Sequence, residues 1–132
     1  MMREAVKNGR KPLQIMIADD TQEIRRLLEM LLSEIDGVAI CGKAENGAEA
    51  LRLARENHPD LLVLDVSMPD MSGIEVLQQI RKNDQSMIVV MFTIESQLRD
   101  YCLKAGANYF FSKNEIGDLV EIIQMLLRQR RT

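Results

Sequence analysis

Residues 13–35, LQIMIADDTQEIRRLLEMLLSEI, decide the fold class. Leu13–Ala18 is an apolar run, and charge starts only at Asp19. A run of this kind predicts a strand covered on both faces. Asp20-Thr21-Gln22-Glu23 has the pattern of a capping box, a short polar cap with an acid three residues later. Ile24, Leu27, Leu28, Leu31, Leu32 and Ile35 then recur at helical spacing and give one apolar face. Gly37 is the expected stop. A buried strand feeding an amphipathic helix is the first half of a βαβ unit.

The same alternation continues along the chain. Val38–Ala44 predicts a second strand, and Asn46-Gly47 a turn into a short helix over Ala48–Asn57. Pro59 bars that helix from continuing. Leu61–Leu64 is a third strand of four consecutive apolar residues, ending on Asp65. After the loop VSMPDMSG, a helix is expected over Ile74–Lys82 and a fourth strand over Met87–Phe92, ending on Thr93. Glu95–Ala105 predicts a helix with Gly106 at its end. Asn108–Phe111 predicts a fifth strand, leading to Lys113, and Ile116–Arg128 the last helix. Five strands alternating with five helices imply an α/β protein, a doubly wound parallel sheet covered on both faces.

Composition excludes several classes of function. The 132 residues are enough for one domain. Hydrophobic residues make up 46% and charged ones 28%, which argues against global disorder. Cys41 and Cys102 form no CxxC pair, and with a single histidine they are too few for a zinc site. A reducing cytoplasmic location is therefore expected. No apolar run approaches a membrane span, and MMREAVKNGRKPL lacks the apolar centre of a signal peptide.

The net charge of −3 predicts no broad nucleic-acid footprint on this chain. The charge is unevenly spread. Residues 1–12 and 128–132 each carry +3, so the body between them carries −9. The expected organisation is a basic N-terminal extension (1–12), one folded domain (13–128) and a basic tail or linker start (129–132).

Ligands of open α/β sheets bind beyond the carboxyl ends of the strands. Asp19 and Asp20 follow the first strand, Asp65 the third, Thr93 the fourth and Lys113 the fifth. Three acids, one hydroxyl and one cation would therefore converge on one crevice. Neighbouring carboxylates repel and must be neutralised, and a hard divalent cation such as Mg²⁺ does so. A carboxylate can also attack phosphorus and form an acyl phosphate. This chemistry predicts Asp65 as nucleophile. Thr93 and Lys113 would stabilise the phosphoryl oxygens. Each residue alone is unremarkable as a cap or turn residue; the specificity lies in their joint position at one end of the sheet.

Four motifs carry a family resemblance: IADD (17–20), DVSMPDMSG (65–73), MFT (91–93) and GANYFFSK (106–113). With them the chain resembles the receiver domain of bacterial two-component response regulators, over about residues 13–128. The resemblance implies a flavodoxin-like sheet of order 2-1-3-4-5. It implies that Asp65 is the phosphoacceptor, taking its phosphoryl group from a histidine kinase phosphohistidine. Asp19, Asp20, Asp65 and the Ser67 carbonyl would hold Mg²⁺. Thr93 and Lys113 would contact the phosphoryl oxygens, and Thr93 and Phe110 would act as the switch. Such a protein is a phosphoacceptor in signalling, turning over only its own phosphoryl group, and not an enzyme acting on other substrates. Its altered surface, expected within residues 95–129, would be read by an output domain or a downstream protein. Homodimerisation stays open, and transcription regulation is one expected output.

Some positions depart from the family pattern. Ile94 follows Thr93 where relatives usually have a small residue, so its bulk is expected to narrow access to Asp65. Asn114 follows Lys113 where many relatives have proline, which resembles the branch with helix-turn-helix output domains. Ser67 and Glu95 fall at positions that tune phosphoryl lifetime in the family. Two other classes stand beside the switch: a phosphorylation-independent interaction module, and a Mg²⁺-dependent phosphohydrolase. The hydrolase needs a second acid two residues after the nucleophile, where Ser67 stands. A stand-alone receiver and a receiver followed by a further domain are equally compatible with the chain.

Overall fold

The computed structural model describes residues 11–130. Residues 1–10 of the expected basic extension, and 131–132 of the tail, lie outside the described residues. The elements are β1 (Leu13–Ala18), α1 (Gln22–Ser33), β2 (Val38–Ala44), α2 (Gly47–Asn57), β3 (Leu61–Leu64), α3 (Gly73–Arg81), β4 (Ile88–Thr93), α4 (Arg99–Ala105), β5 (Tyr109–Ser112) and α5 (Ile116–Arg130). The sheet is parallel throughout and has the order β2-β1-β3-β4-β5. This is the expected doubly wound topology.

Alternation along each strand divides the core into two layers. Met16 and Ala18 of β1, Leu62 and Leu64 of β3, and Val89 and Met91 of β4 pack in one cluster with Ala50, Ala54, Val76, Leu77 and Cys102. That layer is covered by α2, α3 and α4. Ile15, Ile17, Leu61, Val63, Val90 and Phe92 face the other way, against Leu28 and Leu32 of α1 and Leu119 and Ile123 of α5. Burial on both faces is why the central strands β3 and β4 read as nearly continuous apolar runs, whereas the edge strand β2 carries exposed Lys43. Each fully buried Leu, Ile or Val side chain contributes about 1.5–3 kcal/mol by leaving water.

Several element ends differ from the expected ones. Helix α1 stops at Ser33, not at Gly37. Residues 34–37 instead turn the chain into β2, and the left-handed φ of +94° at Gly37 completes the turn. The capping box is not formed. Thr21 is the N-cap and makes no side-chain cap bond; its own N–H is taken by Asp19 Oδ1 at 2.8 Å. The expected helix over 95–105 begins as a 3₁₀ turn (Ser96–Leu98) and becomes α-helical at Arg99. Helix α2 starts one residue early, at Gly47, because Asn46 caps it by accepting from the Glu49 N–H. Helix α3 likewise starts one residue early and ends at Arg81. Strand β4 runs from Ile88 through Thr93, β5 is displaced by one residue, and α5 continues to Arg130. Among the described residues no helix is long and apolar enough to cross a membrane.

Candidate functional site

The carboxyl ends of β1 and β3 lie level in the sheet, and β4 runs two residues further, to Thr93. Ala18 pairs with Leu64, and Leu64 with Met91. The residues that follow these positions therefore emerge side by side. The Asp65 N–H donates to the Ala18 carbonyl at 3.0 Å, and the Asp19 N–H donates to the Ala44 carbonyl at 3.0 Å, so the ladder extends one residue into the crevice. Asp19 is 1% exposed, Asp65 3% and Thr93 0%; they are the buried polar residues of the described chain. Asp20 is exposed.

Lys113 reaches this crevice from beyond β5. Its Nζ lies 2.8 Å from Asp19 Oδ2 and 2.9 Å from Asp65 Oδ2. One ammonium thus serves two buried carboxylates. Burial pushes the Asp19 carboxyl above the usual carboxylate range, although Lys113 and the Thr21 N–H oppose that rise. Burial acts to lower the Lys113 pKa, but hydrogen bonds to Asp19 and Asp65 outweigh it and leave the ammonium raised. The first effect is that of a buried carboxyl, and the second that of an ammonium held between two acids.

Carboxylate oxygens of Asp19, Asp20 and Asp65 all lie within 4.8 Å of one another. With Lys113 as the cation of the cluster, ionisation of all three acids leaves negative charge uncompensated. A hard divalent cation with oxygen ligands fits this donor set, since Mg²⁺ is characteristically held by one or two carboxylates, waters and phosphate oxygens.

The loops around the crevice are cross-linked. The Ser67 hydroxyl donates to Glu95 Oε2 at 3.1 Å, joining the loop after β3 to the loop after β4. The Glu95 N–H donates to Thr93 Oγ1 at 3.3 Å, and Gln97 Nε2 donates to Glu95 Oε1 at 2.8 Å. The Ser67 N–H donates to Asp65 Oδ1 at 3.3 Å. Ile94 is 71% exposed, so its side chain stands mostly in solvent.

Phe110 is 4% exposed and packs in the core layer beneath α2, α3 and α4. Arg99 donates to its carbonyl at 3.0 Å and places its guanidinium 6.0 Å from the ring centroid. Tyr109 and Phe111 pack against the opposite layer. The structure thus brings Asp19, Asp20, Asp65 and Lys113 together, sets Thr93 at the adjoining strand end, and holds Phe110 inside.

Two residues carry the site's architecture without a local sequence signal. Asp70 accepts from the N–H groups of Gly47 (2.8 Å) and Ala48 (2.9 Å), so the loop after β3 caps helix α2. Arg25 donates to the Asp19 carbonyl at 2.6 Å. The partners of Asp70 lie more than twenty residues away in sequence, and the Arg25 bond needs the folded turn.

The family model for the response regulator receiver domain matches residues 15–125. The chain belongs to this family. A protein of Pseudomonas aeruginosa described as a transcriptional regulator is 43% identical over 103 residues, covering 76% of this chain and 49% of that protein. The nitrate/nitrite response regulator NarL of Escherichia coli is 31% identical over 119 residues, covering 88% of this chain and 55% of NarL. A crystal structure of a LuxR-family two-component response regulator from an Aurantimonas species superposes with a TM-score of 0.82 at 30% identity, covering 90% of this chain and 87% of that one. The receiver therefore spans about half the length of the curated relatives it matches.

Proposed function

We propose that Asp65 accepts a phosphoryl group from a histidine kinase phosphohistidine in a Mg²⁺-dependent reaction. The observation that carries this reading is the pairing of two buried carboxylates, Asp19 and Asp65, with one Lys113 ammonium. A carboxylate oxygen of Asp65 attacks phosphorus, the P–N bond breaks, and an acyl phosphate forms. Asp19, Asp20, Asp65 and the Ser67 carbonyl are the groups that would hold Mg²⁺. When bound, the cation supplies charge neutralisation at the phosphoryl oxygens. Lys113 pairs with a phosphoryl oxygen in place of Asp65 Oδ2. The Thr93 hydroxyl, whose oxygen already accepts from Glu95, keeps its proton to donate to the phosphoryl group.

Thr93 and Phe110 then bias two packings of β4, β5 and the flanking helices. The surface within residues 95–129 changes and is read by an output domain or a downstream partner. LuxR-family and NarL relatives support a regulator of transcription, with DNA contact made outside this receiver. A phosphohydrolase reading lacks its leaving-group acid, because Ser67 offers a hydroxyl that is already donated to Glu95.

Intact mass after incubation with acetyl phosphate and Mg²⁺ tests the reading. One added phosphoryl group is expected, lost with EDTA and in Asp65→Asn. No gain under any donor, including a phosphorylated kinase, would leave the interaction-module reading in its place.

A further inference from the structure

Arg25 sits on the second turn of α1 and points back at the start of its own helix. Its guanidinium donates to the Asp19 main-chain carbonyl at 2.6 Å and lies 3.7 Å from Glu45 Oε2. The Arg25 side chain is only 14% exposed, while that of Glu45 is 65% exposed. The Asp19 carbonyl belongs to the peptide that joins Asp19 to Asp20. Three bonds fix that turn. Ala44 accepts the Asp19 N–H, Asp19 Oδ1 accepts the Thr21 N–H, and Arg25 holds the carbonyl between them. Rotating this peptide would turn one acid away from the other.

We infer that Arg25 is a positioning residue for divalent-cation binding, acting by clamping the Asp19–Asp20 peptide so that both carboxylates face Asp65. The inference rests on the Mg²⁺ reading above. Its sign separates it from simple electrostatics. A cation close to a metal site opposes the metal, so removing the Arg25 charge by Coulomb's law alone would tighten Mg²⁺ binding. Loss of the clamp weakens it. Charge-assisted bonds to groups behind metal ligands commonly set affinity in this way.

The test is Mg²⁺ titration by calorimetry on the full chain, with amide hydrogen exchange in EDTA as a metal-free readout. Arg25→Gln is expected to weaken Mg²⁺ binding by about tenfold. Arg25→Lys keeps the charge but loses the planar fork, and is expected to weaken it by about threefold. Glu45→Gln removes a mostly exposed partner and should stay within about twofold of wild type. In EDTA the Thr21 amide should exchange faster in Arg25→Gln, while the β3 amides keep their protection.

Unchanged or tighter Mg²⁺ binding in Arg25→Gln overturns the inference. If Arg25→Gln loses protection throughout the strands, Arg25→Lys decides, and wild-type affinity with wild-type Thr21 exchange overturns it. If the wild-type chain binds no Mg²⁺, the metal reading itself fails. The clamp is then judged by Thr21 exchange alone, and unchanged exchange sinks it.

Discussion

A Cβ placed on Gly73 would lie 1.9 Å from the carbonyl oxygen of Asp65. The Gly73 N–H also donates to the Val66 carbonyl at 2.8 Å, so α3 begins directly against the backbone of the proposed phosphoacceptor. The clash is with backbone, which cannot rotate away as a side chain can. Gly73→Ala is therefore expected to destabilise the fold by about 2–3 kcal/mol, read as a lower urea midpoint at unchanged slope. Gly117→Ala is the control. Beyond its own helix backbone and chain neighbours nothing lies within 4 Å of an added Cβ, and on an exposed helical position the change should stabilise by about 0.5–1 kcal/mol. Equal stability of Gly73→Ala and wild type would remove the close approach from the account.

Among the described residues Lys113 is the ammonium that bridges Asp19 and Asp65. Lys113→Met keeps the length of the stem and leaves two buried carboxylates facing each other. Without metal the variant should lose about 2–3 kcal/mol, less than a fully buried pair would cost because Lys113 retains 16% exposure. A cation that binds only the folded state should restore much of this. Thermal melts with EDTA and with Mg²⁺ are the check: the Mg²⁺-induced rise in Tm should be larger in Lys113→Met than in wild type. A smaller rise would show that the lysine assists the cation instead of standing in for it.

The centre of the sheet is legible in the chain because β1, β3 and β4 are buried on both faces. Runs such as Leu61–Leu64 have no polar member, so their ends are sharp. For the same reason Asp65 and Asp19 stood out as the first charges after buried runs. Boundaries set by side chains from elsewhere were not legible. Asp20-Thr21-Gln22-Glu23 has the letters of a capping box, but the N-cap falls one residue later, at Thr21, and makes no side-chain cap bond. Gly37 looks like a helix stop, but three residues of turn separate it from α1. Arg25 and Asp70 carry the loop geometry through bonds to main-chain groups, and no residue spacing announces such a bond.

Asp70 gives the fold an acid-sensitive joint. Backbone N–H groups of Ala48 and Gly47 hold its carboxyl below the usual carboxylate range. A depressed folded-state pKa contributes stability above the unfolded value near 4, and that stability is lost as pH falls through the folded value. Asp70→Asn should thus be less stable than wild type at pH 6. The difference in urea midpoint should close as pH drops below about 4. A gap that stays constant from pH 6 to pH 3 would show that the carboxylate charge contributes nothing at the α2 N-terminus.

Phe110 is buried beneath the helix layer, and Arg99 holds its carbonyl from α4. A switch variant must separate signalling from stability. Phe110→Ala empties a buried ring site and should cost about 3–5 kcal/mol, enough to confuse any functional readout. Phe110→Leu keeps an apolar side chain and should cost about 1–1.5 kcal/mol. Under the proposed switch, Phe110→Leu takes up phosphoryl on Asp65 at the wild-type rate. Phosphorylation then no longer changes hydrogen exchange in β5 and α4 as it does in wild type. If Phe110→Leu instead slows phosphoryl uptake severalfold while exchange still responds, the ring supports the chemistry at Asp65 and is not the element that reports it.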